Sequence, residues 1–243
     1  MISLAIPNFN RSDFVTESFI QVINNDLISE IVIVDDCSDD IVYIELWNLI
    51  NDLNNNKIRL HRNNVNLSPF KNKYEAVKKC NNDWVILLDS DNIIDNDYVE
   101  IVDKLDKEDD ILYCPEVLYR LNKNSICFNF REFNRLTIDK NNVKKHIDAG
   151  NFETWLNSGN YFLNKERYVN IVENNYDAPK LSVNDALYFS YLWLLNGNKM
   201  KIVPYLYYIH YQHGVGLGGS WYANNVRDCE FASSEIKKKI KEL

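Results

Sequence analysis

Glycine is scarce in this chain and absent from its entire first half. Seven glycines occur among 243 residues, and the first of them is Gly150. A dinucleotide-binding turn needs G-x-G-x-x-G after its first strand, and a P-loop needs G-x-x-x-x-G-K-[ST]. Both phosphate-binding loops are therefore excluded. A bound phosphate would need another partner, such as a divalent cation held by carboxylates.

Three further absences narrow the class of protein. No apolar run approaches the roughly 20 residues that span a bilayer, and ISLAIPNFN at the start is too short and too weakly basic for a signal peptide. The formal net charge of -8 argues against DNA or RNA as partners, because their phosphates attract basic surfaces. Five cysteines are scattered without a C-x-x-C pair, which is typical of reduced thiols. We therefore expect a cytoplasmic protein that binds no nucleic acid.

Strand and helix patterns alternate regularly over residues 1–115. Short β-branched runs such as EIVIV (30–34) are separated by amphipathic stretches such as residues 12–25. This alternation predicts the α/β fold class, with right-handed β-α-β units and a mostly parallel central sheet flanked by helices. The predicted strands are 2–6, 30–34, 57–62, 84–88 and 111–115, and the predicted helices are 12–25, 41–53, 71–80 and 96–105.

The alternation weakens after residue 115. Residues 117–130 resemble a hairpin that turns at 122–124, and later patterns predict a helix over 184–195 and a strand beginning at 201. The tail EIKKKIKEL is a basic amphipathic helix. Such a helix usually packs on its own domain, and in fewer proteins it contacts an anionic membrane.

Polar segments follow three of the predicted strands. PNFNR follows the first strand, DDCSDD the second and DSDN the fourth. Because the carboxyl ends of parallel strands meet at one edge of a sheet, these segments are expected to form one ligand-binding rim. A single aspartate in such a loop is usually a helix cap. The accumulation of carboxylates on one rim instead predicts a divalent cation that holds a diphosphate.

In their order and spacing, these segments resemble inverting family 2 glycosyltransferases of the GT-A fold. The matching segments are IPNFNR, EIVIVDDCSDD, VILLDSDN, NSGN (157–160) and ND (184–185), and the resemblance covers about residues 1–215. It implies transfer of a sugar from a nucleoside diphosphate, most often UDP, to an acceptor hydroxyl with Mn²⁺ or Mg²⁺. The acceptor would be a glycan or a lipid-linked or protein substrate. Within one domain, residues 1–115 would bind the nucleotide sugar, and 116–243 would bind the acceptor and carry catalysis.

The resemblance also implies roles for individual residues. Asp185 matches the general base, and Asp89 and Asp91 match the D-x-D metal motif, with Asp91 as the direct ligand. We expect His210 or His213 to add a metal ligand or to donate to the leaving phosphate. The implied nucleotide-binding residues are Pro7, Asn8, Asn10, Asp36, Lys73 and Ser90, with Asp36 on the base. The implied donor and acceptor pocket contains Asn157, Ser158, Gly159, Asn160, Tyr161 and Trp221.

Some features depart from the family pattern. No Q-x-x-R-W follows Asp185, which argues against a processive polymer synthase. Asn184 replaces the first acid of the common E-D pair, and the glycine of N-x-G-x-x-x-A-R-N is absent. Asp185 also has a structural interpretation, because the spacing from Ser182 fits a capping box that closes a helix N-terminus.

Two other functions stay open from the sequence. A phosphatase of the haloacid-dehalogenase type also has a strand-end D-x-D, whose first aspartate attacks phosphorus. That motif normally ends the first strand, whereas Asp89 follows three earlier ones. The other possibility is a nucleotide-sugar or glycan-binding module without catalysis. The glycine-rich segment after His213, with Trp221, is interpreted as a mobile lid.

Overall fold

The structure, a computed structural model, describes residues 1–121, 125–150, 152–177, 184–210 and 226–243. The strands are β1 (Ile2–Asn8), β2 (Ile28–Asp35), β3 (Ile58–Arg62), β4 (Trp84–Leu87), β5 (Asn92–Ile93), β6 (Ile111–Arg120), β7 (Ile126–Asn129), β8 (Thr137–Ile138), β9 (Tyr161–Asn164) and β10 (Lys199–His210). The helices are α1 (Ser12–Phe19), α2 (Asp40–Leu53), α3 (Pro69–Lys78), α4 (Asn96–Asp103), α5 (Phe152–Leu156), α6 (Lys165–Glu173), α7 (Asp185–Leu195) and α8 (Val226–Lys241).

One sheet runs through the domain, with the strand order β3-β2-β1-β4-β9-β6-β10-β5, while β7 pairs with β6 and β8 with β10. The pairs β1–β2, β2–β3 and β1–β4 are parallel, as the alternating pattern predicts. Successive side chains of a strand point to opposite faces. Leu4 therefore belongs to the apolar core on one face, and Ala5 belongs to the core on the other.

The second half of the sheet is mixed, which the sequence did not predict. β9 lies between β4 and β6 and is antiparallel to both. This strand has only four residues, YFLN, too few for a periodic pattern to separate it from a loop. Because β9 follows residue 115 yet pairs with β4, the two predicted halves share one sheet.

Helix α1 is shorter than predicted, since it ends at Phe19 and not at residue 25. The chain then continues in tight turns, in which the Val22 N–H donates to the Phe19 carbonyl at 2.9 Å. β-branched residues followed by two asparagines disfavour further helix here. Ser12 does not cap the helix with its side chain, and its hydroxyl instead donates to Glu45 at 3.1 Å.

The C-terminal helix α8 uses its apolar face inside the domain. Ile236 and Ile240 are buried in the larger of the two apolar cores, the one that contains Ala5 and is called the main core below. Leu243 packs against it. Lys237 forms an ion pair with Glu153 at 2.8 Å. The described end of this helix thus packs on its own domain, with Ile236 and Ile240 covered. Among the described residues, no helix is both long and apolar enough to cross a bilayer.

Candidate active site

A cavity of about 720 Å³ is lined by residues from the carboxyl ends of β1, β2 and β4. Further lining residues come from α3, the β6–β7 hairpin, the start of α7 and the end of β10. Helices and strands far apart in sequence thus meet around one space. The predicted site residues that line it are Pro7, Asn8, Asp36, Lys73, Asp89, Ser90, Asp91, Asn157, Ser158, Asp185 and His210.

Among the predicted site residues that the lining does not include, Asn10 and Tyr161 make contacts elsewhere in the fold. Asn10 joins two loops, because its amide N–H donates to Ser38 at 2.8 Å and its side chain accepts from the Asp39 N–H at 2.9 Å. Tyr161 is 1% exposed and belongs to the main core, since alternation along β9 turns its ring away from solvent. Neither is among the residues that line the cavity, and their assignment as ligand contacts stays a prediction. His213 and Trp221 lie outside the described residues, as do Ser182 and the predicted hairpin turn.

The D-x-D turn is held in place by Asn160. The buried side-chain oxygen of Asn160 accepts from the Asp89 N–H at 2.9 Å and from the Asn92 amide at 3.1 Å. Asn160 therefore supports the turn from behind, and its predicted place in the donor and acceptor pocket stays a prediction. On the other side, Asn92 is 2.8 Å from Nδ1 of His210, which fixes the imidazole beside the turn.

Lys73 connects the predicted metal motif to the predicted base. Its ammonium lies 3.0 Å from Asp89 Oδ1 and 2.9 Å from Asp185 Oδ2, and its side chain is 9% exposed. Burial alone would lower the pKa of this ammonium, but Asp185 and Asp89 outweigh that effect and raise the pKa well above its ordinary value. Lys73 is thus a permanent cation that fixes two carboxylates from different elements.

Gly159 makes this close packing possible. Its backbone has φ +75°, and a Cβ at this position would lie 3.1 Å from Asp89 Oδ2 and 3.2 Å from Lys73 Nζ. Glycine adopts this conformation without steric cost. Gly159 is therefore adjacent to the charged cluster, where it leaves space for the side chains of Asp89 and Lys73.

The start of α7 shows why Asp185 is not needed as a cap. Asp185 is the first residue of the helix, whereas a capping box would place it third. The side-chain oxygen of Asn157 accepts from the Leu187 N–H at 3.0 Å, and its amide donates to Asn184 at 3.2 Å. Because Asn157 supplies the cap, the Asp185 carboxylate is left to face Lys73 and the cavity.

Asp36 lies in another part of the cavity wall. Its Oδ1 accepts from the Leu67 N–H and from the Asn63 amide, both at 2.9 Å. Burial raises the pKa of the Asp36 carboxyl above its usual value, although these two bonds act in the opposite direction. The side-chain oxygen of the buried Asn8 has no hydrogen-bond partner among the described residues. This oxygen could therefore accept a hydrogen bond from a polar ligand in the cavity.

Several lining residues were not assigned from the sequence. Arg11 follows the first loop, and its Nη1 donates to Asp91 Oδ2 at 2.6 Å. The sequence does contain one indication of this pair, since PNFNR ends in a basic residue and belongs to a rim that is predicted to be acidic. Phe128 and Phe130, whose rings are stacked at 6.2 Å, form an apolar wall with Leu118. No local pattern distinguishes this wall from ordinary hairpin residues.

The donor set of the cavity fits a divalent cation that also binds a diphosphate. Within the described ranges, no group of three or more His, Cys, Asp or Glu side chains could hold a metal by itself. Asp89 and Asp91 supply carboxylate oxygens, which Mg²⁺ and similar hard cations prefer. Mg²⁺ is commonly bound through one or two carboxylates together with substrate phosphates. The side chains suit that arrangement better than a closed structural site.

Comparison with known proteins agrees with the fold. The sequence profile described as Glycosyl transferase family 2 matches residues 3–171. Abequosyltransferase RfbV of Salmonella typhimurium (strain LT2) is 33% identical over 121 residues, which are 47% of this chain and 35% of that protein. The match thus spans about a third of that relative.

Two solved structures share the fold. A crystal structure of S. aureus TarS in complex with UDP-GlcNAc has a TM-score of 0.64 at 18% identity, covering 90% of this chain and 60% of that one. A crystal structure of GalNAc-T7 with UDP, GalNAc and Mn²⁺ has a TM-score of 0.63 at 16% identity, covering 88% and 44%. The predicted α/β fold, of the GT-A type, is confirmed. A haloacid-dehalogenase phosphatase is therefore the wrong interpretation of the D-x-D.

Proposed function

The chain belongs to glycosyl transferase family 2, and we propose that it transfers a sugar from a nucleoside-diphosphate sugar to an acceptor hydroxyl. The reaction inverts the anomeric centre and depends on Mn²⁺ or Mg²⁺. The observation that carries the proposal is that Asp36, Asp89, Asp91 and Asp185 line one cavity. These four carboxylates come from two loops and one helix, and such a concentration of negative charge in one cavity favours a bound cation.

The nucleotide would occupy the part of the cavity next to Asp36. A carboxylate suits the ring N–H of uracil, because an ionised aspartate only accepts hydrogen bonds. Pro7, Asn8 and Ser90 line the same cavity, and Asn8 has the unsatisfied acceptor oxygen described above. The similar structures that hold UDP or UDP-GlcNAc also favour a UDP-sugar.

The diphosphate would lie beside the D-x-D turn. Asp91, assisted by Asp89, would hold the divalent cation, and His210 is the neighbouring side chain able to bind the cation or the leaving phosphate. When bound, such a cation offsets the negative charge that develops on the departing diphosphate. Lys73 stays with Asp89 and contributes a fixed positive charge at the same place.

Asp185 is the proposed general base. Its carboxylate would take the proton of the acceptor hydroxyl as that oxygen attacks the anomeric carbon from the face opposite the diphosphate. Lys73 and the Asn157 cap fix the position of this carboxylate. The wall formed by Leu118, Phe128 and Phe130 would receive an apolar face of the acceptor, which we propose to be a glycan or a lipid-linked or protein substrate.

A screen of nucleotide sugars by thermal denaturation, with and without Mn²⁺, tests the proposal. Ligand at 100 times its dissociation constant stabilises the folded state by about 2.7 kcal/mol. We expect one donor to raise the melting temperature clearly more with Mn²⁺ than without it, and we expect that donor to be turned over. Metal-dependent binding without hydrolysis or transfer to any acceptor would instead identify a non-catalytic binding module.

Asp36→Asn is expected to weaken uridine binding about tenfold, with or without metal. The asparagine keeps an acceptor oxygen for the Leu67 and Asn63 amides, but it no longer presents a carboxylate to the base N–H, a bond to a charged group worth about 1.5–3 kcal/mol. Calorimetry with uridine measures the change. Asp39→Asn, an exposed residue of the same loop, is the control. Unchanged uridine affinity in Asp36→Asn would remove this residue from base recognition.

Gly159→Ala is expected to weaken Mn²⁺-dependent UDP binding, because the new methyl group meets Asp89 and Lys73. Gly197→Ala is a matched control, since Gly197 has φ +78° and a Cβ there meets nothing within 4 Å. Both variants should lose about 1 kcal/mol of unfolding free energy from the left-handed backbone. Only Gly159→Ala should also lose UDP affinity in calorimetry. Equal UDP affinities in the two variants would show that the packing around Gly159 does not matter for the ligand.

A further inference from the structure

Each aspartate of the D-x-D turn is paired with a basic side chain from a different element. Lys73 of α3 lies 3.0 Å from Asp89, and Arg11 of the first loop lies 2.6 Å from Asp91. The second pair was not anticipated from the sequence. It places a guanidinium on the carboxylate that is the proposed direct ligand of the divalent cation.

The two basic side chains differ in how firmly they are held. Lys73 contacts Asp185 as well as Asp89, and its ammonium lies against Gly159. The Arg11 side chain is 21% exposed, about twice the value for Lys73, and its Nη1 reaches Asp91 from the more open side of the cluster. Lys73 is therefore fixed, whereas the Arg11 side chain has room to turn.

The backbone beneath Arg11 is anchored, so only its side chain needs to move. Asn10, the preceding residue, is tied to Ser38 and Asp39 by hydrogen bonds of 2.8 and 2.9 Å. Arg11 then leads directly into α1. A long side chain on a fixed backbone can change partners within the cavity that it already lines.

A guanidinium and a divalent cation compete for one carboxylate, because each neutralises it and the two repel each other at short range. An arginine displaced from Asp91 would have a diphosphate within the same cavity, and its planar fork matches phosphate oxygens well. We propose that Arg11 holds Asp91 until the divalent cation takes that carboxylate, and that Arg11 then binds the diphosphate of the donor. This inference rests on the proposed function, since it assigns Arg11 a part in the same site.

The exchange makes metal and donor bind cooperatively. Without donor, Arg11 opposes the metal at Asp91, so the metal alone binds weakly. With donor, the diphosphate draws Arg11 away, so the guanidinium no longer opposes the metal at Asp91. Because such coupling is reciprocal, the metal must strengthen donor binding by the same factor by which the donor strengthens metal binding.

Arg11→Met tests the exchange, because it should strengthen the binding of Mn²⁺ alone and weaken the binding of UDP. Calorimetry with MnCl₂ alone should show about tenfold tighter Mn²⁺ binding, because Asp91 has lost its competitor, and UDP in saturating Mn²⁺ should bind about tenfold more weakly. Arg11→Lys, which keeps a charge but not the fork, should show both effects in smaller measure. Arg131→Met is the matched control, because it breaks an ion pair to the buried Glu116 outside the cavity and should change neither affinity.

Unchanged or weaker Mn²⁺ binding in both Arg11 variants would overturn the exchange. In that case metal-dependent UDP binding by the wild type, lost in Asp91→Ala, would leave the proposed function standing. Absence of UDP binding by the wild type at any metal concentration would overturn the proposed function itself, and the exchange with it. Thermal denaturation verifies that each variant is folded. If Arg11→Met does not fold, the titrations of Arg11→Lys decide the outcome.

Discussion

Asp185→Asn is expected to reduce the rate of sugar transfer at least about a hundredfold while leaving nucleotide-sugar affinity nearly unchanged. A hydroxyl is a weak nucleophile at neutral pH, and general-base help typically supplies about 10²–10⁴-fold in rate. Asparagine has the shape of aspartate and still accepts a hydrogen bond from Lys73, but it cannot take a proton. The loss should therefore fall on turnover and not on binding.

UDP release from the donor found in the thermal screen measures this effect without knowledge of the acceptor, because water also needs the base. Asp83→Asn, an exposed residue before β4, is the control for an acid-to-amide change. Asp185→Asn should stay folded, since Asn157 and not Asp185 caps α7. Wild-type turnover in Asp185→Asn would exclude this residue as the base.

Asp91→Ala is expected to abolish the gain in UDP affinity that Mn²⁺ provides. Asp91 would hold the cation that offsets the charge of the diphosphate, so removing its carboxylate should remove the contribution of the metal to UDP binding. UDP binding in EDTA should persist, because Asp36 and Lys73 remain. The measurement is a pair of calorimetric titrations with UDP, one in Mn²⁺ and one in EDTA.

Asp52→Ala is the control for loss of one negative charge, because Asp52 is an exposed residue of α2 that does not line the cavity. It should keep the full difference between the Mn²⁺ and EDTA titrations. If Asp91→Ala keeps that difference as well, the metal is held elsewhere or is not required, and the role of the D-x-D turn has to be revised.

The ligand-binding rim of the sheet could be predicted because it depends on short sequence patterns. β-branched runs mark the buried strands, and parallel strands place their carboxyl ends together. Asp36, Asp89 and Asp91 each follow such a run directly, so their meeting in one cavity needs no knowledge of side-chain packing.

The features of the site that could not be predicted depend on contacts between residues far apart in the sequence. The brace from Asn160 depends on β9, a strand too short to show a period, and the Arg11–Asp91 pair joins two loops that only the folded sheet brings together. Lys73 was predicted near the phosphates from its position in the chain, but its bridge to Asp185 requires α3 and α7 to be docked. Asp185 itself matched a capping box in sequence, and only the Asn157 cap shows that the helix does not need it.

The anomeric configuration of the first product tests the proposed mechanism most directly. The donor from the thermal screen is incubated with wild-type protein and Mn²⁺, and the sugar transferred to acceptor, or released by water before it mutarotates, is followed by proton NMR couplings. A single attack assisted by Asp185 predicts a product whose anomeric configuration is opposite to that of the donor. A product that retains the configuration of the donor would contradict inversion and the role of Asp185 as the base.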